Sequence, residues 1–364
     1  MHLRAKRDCE APQIVVPVSG LCEGAMIQPQ NDASRFAAHS IMLSIGHPIL
    51  FRADRLPTLK PSMESYNRVQ NLSLIIQPGD SFFPIVDAID NAKHTIKMTI
   101  FRMDDPIVRD ALMAAVARGV NVQALVARES KGWIKKNKKL AESLSKIGVS
   151  VRTPRSNNRK IKRFHYKMMT VDDVVSLILT FNPTQKNLHY ARDFGILIRD
   201  HDITDELNRL FDADWHNKPY KPGNVPLVIS PHNSRKRLIE LVNSARQTIR
   251  IMDAKLQDSE VMGLLLRKAA AGCNVQVISR DDFYDEVVPN LHVRKLARFK
   301  LHAKCIVVDR QRFFVGSQNL RRVSLDRRRE VGIIIDDPAM AGRIERVFNE
   351  DWMNATESLA LAKI

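Results

Sequence analysis

Two stretches of this chain carry the same spaced set of polar residues, and a chain built that way folds as two related halves. His165-Tyr166-Lys167 leads to Asp172, and His302-Ala303-Lys304 leads to Asp309; both read H-x-K-x-x-x-x-D. Leu179-Thr180-Phe181-Asn182 follows in one copy and Gly316-Ser317-Gln318-Asn319 in the other, and then an acid, Asp193 or Glu330. Each of these positions recurs 137 residues later. Upstream the duplication continues at an offset of 153: residues 73–81 resemble 226–234, 91–96 match 244–249, and 117–122 match 270–275. Phe211, Asp214, Trp215 and Asn217 return as Phe348, Asp351, Trp352 and Asn354, again at 137, so the first copy holds 16 additional residues between these blocks.

Each copy reads as strand, helix, strand, helix, strand, then a hairpin, a strand and a closing helix. Apolar periodicity predicts helices over 82–92, 105–118 and 202–215, with partners over 235–245, 259–271 and 338–352. Residues 95–100 and 120–126 read as strands. The apolar runs 168–171 and 305–308 read as buried strands, each ending in a turn at Asp172-Asp173 or Asp309-Arg310 before a second apolar strand. Residues two apart in a strand share a face, so His165 and Lys167 point one way, as do His302 and Lys304. The hairpin returns Asn182 or Asn319 to the His/Lys end. Alternating strands and helices indicate an α/β sandwich around a mixed sheet. A length of 364 residues suits one large duplicated unit. The segment 218–223, with two prolines and a glycine, is the natural linker.

The recurring residue types fit phosphoryl transfer. A nucleophilic His needs a neutral ring with one nitrogen free, and a carboxylate on the other nitrogen fixes the tautomer and stabilises the imidazolium. Asp193 and Glu330 are each placed to do this. A second, protonated His hands its proton to the leaving oxygen. Lys supplies a point charge and Asn an amide donor for the phosphoryl oxygens. One buried strand His is usually a satisfied core residue, but two complete sets at one offset leave that reading little room.

The paired motifs resemble those of the phospholipase D superfamily, over roughly residues 70 to 356. The second copy, His302 to Asn319 with Glu330, matches the family pattern in full. The first has Leu179 where Gly is usual and Thr180 for Ser. The presence of both Asp172 and Asp309 argues against the tyrosyl-DNA phosphodiesterase branch. The resemblance implies two tandem phospholipase D-like α/β/α sandwich repeats with mixed sheets, sharing one active site on a pseudo-two-fold axis. It implies an N-terminal extension over 1–70, repeats over 71–218 and 219–356, and a tail over 357–364. It places His165, Lys167, Asp172, Asn182, Asp193, His302, Lys304, Asp309, Ser317, Asn319 and Glu330 in the catalytic set, with His165 attacking phosphorus and His302 protonating the leaving oxygen.

Charge adds a surface to this site. The chain carries a formal net charge of +17, and twelve Lys/Arg against one acid fall between Lys131 and Arg163, leading directly into His165. Lys135, Lys136 and Arg163 there, Thr180, and Arg321 and Arg322 after Asn319 are the expected substrate-binding residues. A basic rim concentrates anions and suits an anionic lipid surface and nucleic-acid phosphates alike. Phe36 to Phe51 is the most apolar stretch and is too short to span a bilayer, which takes about 20 residues. It reads as core-packed or poorly ordered within a partly ordered extension, with an interfacial position as the alternative. Cys9, Cys22, Cys273 and Cys305 form no C-x-x-C, which favours a reducing compartment. No secretory signal, Walker loop, zinc cluster or dinucleotide fingerprint stands out.

The sequence therefore reads as a phosphodiesterase working through a covalent phosphohistidine, most like the bacterial cardiolipin synthase and phospholipase D group. A phospholipid is the leading substrate and water or an alcohol the acceptor. The alternatives are a metal-independent nuclease and a basic phosphate-surface binding module with a decayed site. No cofactor or metal is expected. The expected state is a monomer holding an intramolecular pseudo-dimer, cytoplasmic or peripheral on an anionic membrane.

Overall fold

The duplication appears as two sheets that exchange strands. The computed structural model describes residues 71–128, 130, 132–155, 161–280 and 288–357. All of them fall within one compact unit. The expectations for residues 1–70, including the 36–51 stretch, Cys9 and Cys22, for Lys131, Arg159 and Lys160, and for the tail from 358 on lie outside the described residues.

The first copy runs β1 (Leu72–Gln77), α1 (Phe83–Asp90), β2 (Thr95–Ile100), α2 (Pro106–Ala117), β3 (Asn121–Val126), α3 (Ile134–Lys146), β4 (Ser150–Arg152), β5 (Arg163–Phe164), β6 (Met168–Val171), β7 (Val175–Leu179), α4 (Gln185–Tyr190), β8 (Ala191–Arg199) and α5 (His201–Trp215). The second runs β9 (Leu227–Ser230), α6 (Ser234–Asn243), β10 (Thr248–Asp253), α7 (Ser259–Ala270), β11 (Asn274–Ser279), β12 (Leu291–Leu296), β13 (Lys300–Leu301), β14 (Lys304–Val308), β15 (Arg312–Gly316), α8 (Arg322–Asp326), β16 (Arg328–Asp336), α9 (Pro338–Met353) and β17 (Ala355–Glu357).

Strand order in the first sheet is β1-β8-β7-β6-β2-β3-β4, and in the second β17-β12-β11-β10-β14-β15-β16-β5 with β9 on β16. β2 pairs with β3 and β10 with β11 in parallel, while the hairpins β6/β7 and β14/β15 are antiparallel, so both sheets are mixed. Alternation along the strands splits the core. Met168 and Ile178 face a central cluster shared by both halves, and Met169, Leu177 and Leu179 face the layer under α1 and α2. In the second half Cys305 and Val307 face the centre, while Ile306 and Val308 face the layer under α6 and α7. Helices α5 and α9 bring Phe211, Trp215, Ile344 and Phe348 to the central cluster. Cys273 and Cys305 are buried free thiols.

The two-residue strands β5 and β13 decide where the histidines go. β13 leaves its own copy and pairs in parallel with β8 of the other, Leu301 opposite Arg192. β5 does the reverse and pairs with β16, Phe164 opposite Arg329. Each lies immediately before a motif His. The backbone N–H of His165 donates to the Arg329 carbonyl at 2.9 Å, and that of His302 to the Arg192 carbonyl at 3.2 Å. Buried ion pairs fasten the same crossover. Arg192 forks onto Asp351 at 2.6 and 3.0 Å, and Arg329 onto Asp214 at 3.0 Å. This explains the recurring Asp-Trp: its Asp pins the acid-bearing strand of the other half. Arg152 and Arg294 cover the Trp215 and Trp352 rings at 4.7 Å.

Candidate active site

Strand exchange pairs each histidine with the acid of the other copy. His165 Nδ1 lies 2.8 Å from the Glu330 carboxylate, and His302 Nδ1 lies 2.9 and 3.0 Å from the two oxygens of Asp193. An ionised carboxylate only accepts, so each Nδ1 carries the proton and each Nε2 keeps its lone pair. Both acids are fully buried, whereas the His165 and His302 side chains are 12% and 24% exposed. Burial pushes His165 down to about 3 and His302 to about 4, against the opposing pull of Glu330 and Asp193. At neutral pH both rings are therefore uncharged. Burial also disfavours the two carboxylates' charge, but the adjoining His and Lys groups outweigh it and hold both below the usual range.

Lys167 and Lys304 enter the same buried space, each donating to the carbonyl of its own motif His. Lys304 Nζ also lies 3.3 Å from the Thr180 carbonyl, and Lys167 Nζ sits 5.0 Å from the Phe101 ring centroid. Burial lowers the proton affinity of both amines; the charges of Lys304 and Arg328 lower Lys167 further, and Glu330 opposes. Asp193, Asp253 and Glu330 oppose the same effect at Lys304, so the two amines and these carboxylates form one buried charge cluster.

Asn182 and Asn319 are buried where the hairpins return, and the Asn182 side-chain oxygen has no hydrogen-bond partner among the described residues. Thr180 and Ser317 hold equivalent posts. The Thr180 hydroxyl donates to Asp193 at 2.6 Å and accepts the Phe194 N–H at 2.9 Å, and Ser317 Oγ accepts the Val331 N–H at 3.1 Å. Leu179 fits because its ladder partner is Gly195; a Cβ there would lie 2.7 Å from Leu179 Cδ2. The second copy places Gly316 opposite Gly332 at this point.

Asp172 and Asp309, expected in the catalytic set, lie away from the histidines. Each stands at the far end of its motif strand; five residues at about 3.3 Å per residue carry it roughly 16 Å along from Lys167 or Lys304. Asp172 accepts the backbone N–H groups of Lys93, His94 and Thr95 at 2.7–2.8 Å, and Asp309 those of Arg246, Gln247 and Thr248 at 2.8 Å. Both sit in left-handed turns, with Asp172 and Asp173 at φ 51° and 58° and Asp309 and Arg310 at 51° and 56°. The two carboxylates staple a hairpin to the start of a neighbouring strand. Asp172→Ala is expected to lower stability by about 2 kcal/mol, the range for hydrogen bonds to a charged group, and to leave turnover per folded molecule unchanged; thermal melts beside active-site titration check it. Burial opposes the Asp172 charge, but the three N–H donors outweigh it and depress its proton affinity. Its contribution is therefore present above the ordinary carboxylate range, about pH 4, and is lost as pH falls through the depressed value.

The expected binding residues divide. Arg163 lies two residues before His165 on β5, and the Arg321 N–H donates to the Asn319 carbonyl at 2.8 Å. Lys135, Lys136 and Arg322 sit on exposed helix surface, and Lys136 covers Trp133 at 4.6 Å. Several neighbours escaped the motif reading. Asn187, in the short α4, donates to Asp193 at 3.1 Å, and Arg328 reaches Glu330 at 3.7 Å. Phe101 meets the His165 ring edge-on at 4.4 Å. Asp253 lies opposite Lys304 in the ladder and accepts the Leu320 N–H at 2.7 Å; burial raises it to about 7. Phe101 and Asp253 stand at the carboxyl ends of β2 and β10, where α/β sheets bind ligands, and that position was the available signal.

Comparisons with known proteins bear on the family and the fold. A family model described as "Cardiolipin synthase, PLD-like domain" matches residues 85–215 and 238–352. A polyphosphate kinase of Mycolicibacterium paratuberculosis is 28% identical over 316 residues, covering 76% of this chain and 41% of that protein. The chain thus spans about two fifths of the length of the curated relatives it matches. Among solved structures, a polyphosphate kinase from Porphyromonas gingivalis superposes with a TM-score of 0.63 at 19% identity, over 77% of this chain and 50% of that one. A phosphatidylserine synthase from Haemophilus influenzae superposes with a TM-score of 0.62 at 13% identity, over 80% and 88%.

Proposed function

The chain belongs to the cardiolipin synthase, PLD-like domain family of the phospholipase D superfamily, and on that premise we propose that it cleaves or exchanges a phospholipid diester through a covalent phosphohistidine. The observation that carries the reading is the crossed pair His165–Glu330 and His302–Asp193 with Lys167 and Lys304 between them. His165, the less exposed ring and the one walled by Phe101, attacks phosphorus through Nε2. The P–O bond to the leaving group breaks, and that oxygen takes a proton from His302. Bound phosphate raises the His302 proton affinity from its low value in the free enzyme, which arms it as the acid. His302 then withdraws a proton from water or an alcohol, whose oxygen displaces the histidine nitrogen from phosphorus. Lys167, Lys304, Asn182 and Asn319 hold the phosphoryl oxygens.

A lipid substrate is supported by the family and by α3. This helix presents Lys135, Lys136, Lys138 and Lys139 beside Trp133 and an Ile134 that is 59% exposed, a composition suited to an anionic membrane surface. No helix among the described residues is long and apolar enough to cross a membrane. In this reading α3 meets the membrane at its surface, and one chain supplies both halves of the site. The basic rim and the polyphosphate kinase relatives favour a second reading, a linear polyanion such as a nucleic acid.

The test is a parallel assay on phosphatidylglycerol vesicles, single-stranded DNA and polyphosphate, with and without EDTA. Turnover of the lipid is expected, and it should survive EDTA because the lysines supply the positive charge. Cleavage of DNA or polyphosphate alone would replace the lipid reading with the second. Loss of activity on chelation, restored by one divalent ion, would overturn the metal-independent mechanism.

A further inference from the structure

The pseudo-two-fold axis relates the histidines, but the walls around them differ. Phe101 and Arg102 follow β2, and the corresponding positions after β10 are Ala254 and Lys255. The Phe101 edge meets His165 at 4.4 Å. The Arg102 guanidinium lies between two rings, 5.3 Å from Phe101 and 5.5 Å from Trp133, and its Nε donates to Ser130 at 2.8 Å. Trp133 immediately precedes α3. Asn137 of that helix, itself buried, donates to the carbonyls of Phe101 at 2.9 Å and Ala127 at 2.6 Å. The basic insertion is thus locked onto the residue that walls His165.

Two further cations precede the histidines on the exchanged strands. Arg163 lies two residues before His165, and Lys300 two residues before His302. Burial and the Arg163 charge lower the Arg102 proton affinity; burial, Lys186, Arg280 and Arg102 lower that of Lys300. The ring distances put the Arg102 guanidinium within about 10 Å of the His165 imidazole. A planar guanidinium held between aromatic faces suits a phosphate, which it grips through paired N–H donors.

We propose that Arg102, Arg163 and Lys300 form a subsite for a second phosphoryl group of the substrate, on the His165 side of the scissile diester. The inference rests on the proposed site for that diester. It makes the enzyme selective for substrates with a phosphate next to the one attacked, and it disfavours a cationic headgroup in that place.

The test compares inorganic phosphate with tripolyphosphate, as inhibitors of bis(p-nitrophenyl) phosphate hydrolysis and as ligands in calorimetry. Tripolyphosphate is expected to bind at least tenfold tighter, and Arg102→Gln to bring the two within about twofold of each other. Lys236→Gln, at an exposed position on α6, should leave the ratio unchanged. If Arg102→Gln does not fold, Lys300→Gln at its exposed position reads the same loss. Two substrate arms separate the sources of the second phosphate: cardiolipin against phosphatidylglycerol, and 5′-phosphorylated against unphosphorylated thymidine dinucleotide. Preference for the bis-phosphate member of either pair supports the subsite. Equal affinity for phosphate and tripolyphosphate in the wild type, or a ratio unchanged in Arg102→Gln, overturns it. Calorimetry reads that ratio even if no diester is turned over, so failure of the subsite and failure of the proposed function remain distinct.

Discussion

His165→Ala is expected to reduce kcat/KM at least about a thousandfold. General acid–base help alone is worth roughly 10²–10⁴, and in the proposed mechanism this change removes the nucleophile as well. His302→Ala should cost a similar factor with a leaving group that needs a proton, and much less with p-nitrophenolate, which departs without one. That contrast separates the roles, because a nucleophile is needed for both substrates. Acid-quenched enzyme incubated with a phosphorus-labelled substrate should carry the label on His165. A label on His302 alone would reverse the assignment, and a fully active His165→Ala enzyme would end the phosphohistidine reading. The pH dependence follows from the same geometry. Burial holds His302 at about 4 in the free protein, so kcat/KM should fall as pH rises above the acid range. Bound phosphate favours the imidazolium, so the alkaline limb of kcat should lie at higher pH than that of kcat/KM. Coincident limbs would show that substrate binding does not recharge the ring.

Much of this architecture was legible because the chain states it twice. Thr95–Ile100 is the β2 strand as expected, and the six expected helices formed with ends within two residues of their predicted bounds. Such elements announce themselves through long apolar periodicity. The crossover was not legible. β5 and β13 are two residues each, too short to carry a period, and nothing in a repeated motif says which copy's acid a histidine will meet. The place of Asp172 and Asp309 was hidden for the opposite reason: their spacing recurs as faithfully as that of the histidines, because the hairpin staple is duplicated too. The strand rise already separates them from the Lys end, so geometry could have removed them where motif matching did not. The basic insertion read only as a charge run, since its decisive residue is Asn137, a neutral amide that locks α3 onto Phe101.

Asp214→Ala is expected to destabilise the protein by about 3–5 kcal/mol, the cost of removing one partner from a buried ion pair. Asp214 is buried and accepts from the Arg329 fork at 3.0 Å and from the Tyr166 hydroxyl at 2.8 Å. Its loss leaves a guanidinium and a phenol stranded in the central core. In a chain of this size such a deficit lowers Tm by on the order of 10 °C. The damage should also reach the site, because Arg329 precedes Glu330 and its carbonyl receives the His165 N–H. Strand β16 is then free to shift relative to β5, loosening the His165–Glu330 contact. Replacing both partners by apolar residues, Asp214→Leu with Arg329→Met, should recover much of the stability, since no buried charge then lacks its mate. It should recover less of the turnover, because the fork that fixes the register between the halves is still gone. Asp351→Ala makes the same test on the His302 side through Arg192. A loss below about 1 kcal/mol, the value of an exposed pair, would mean that the crossed ion pairs do not fasten the halves.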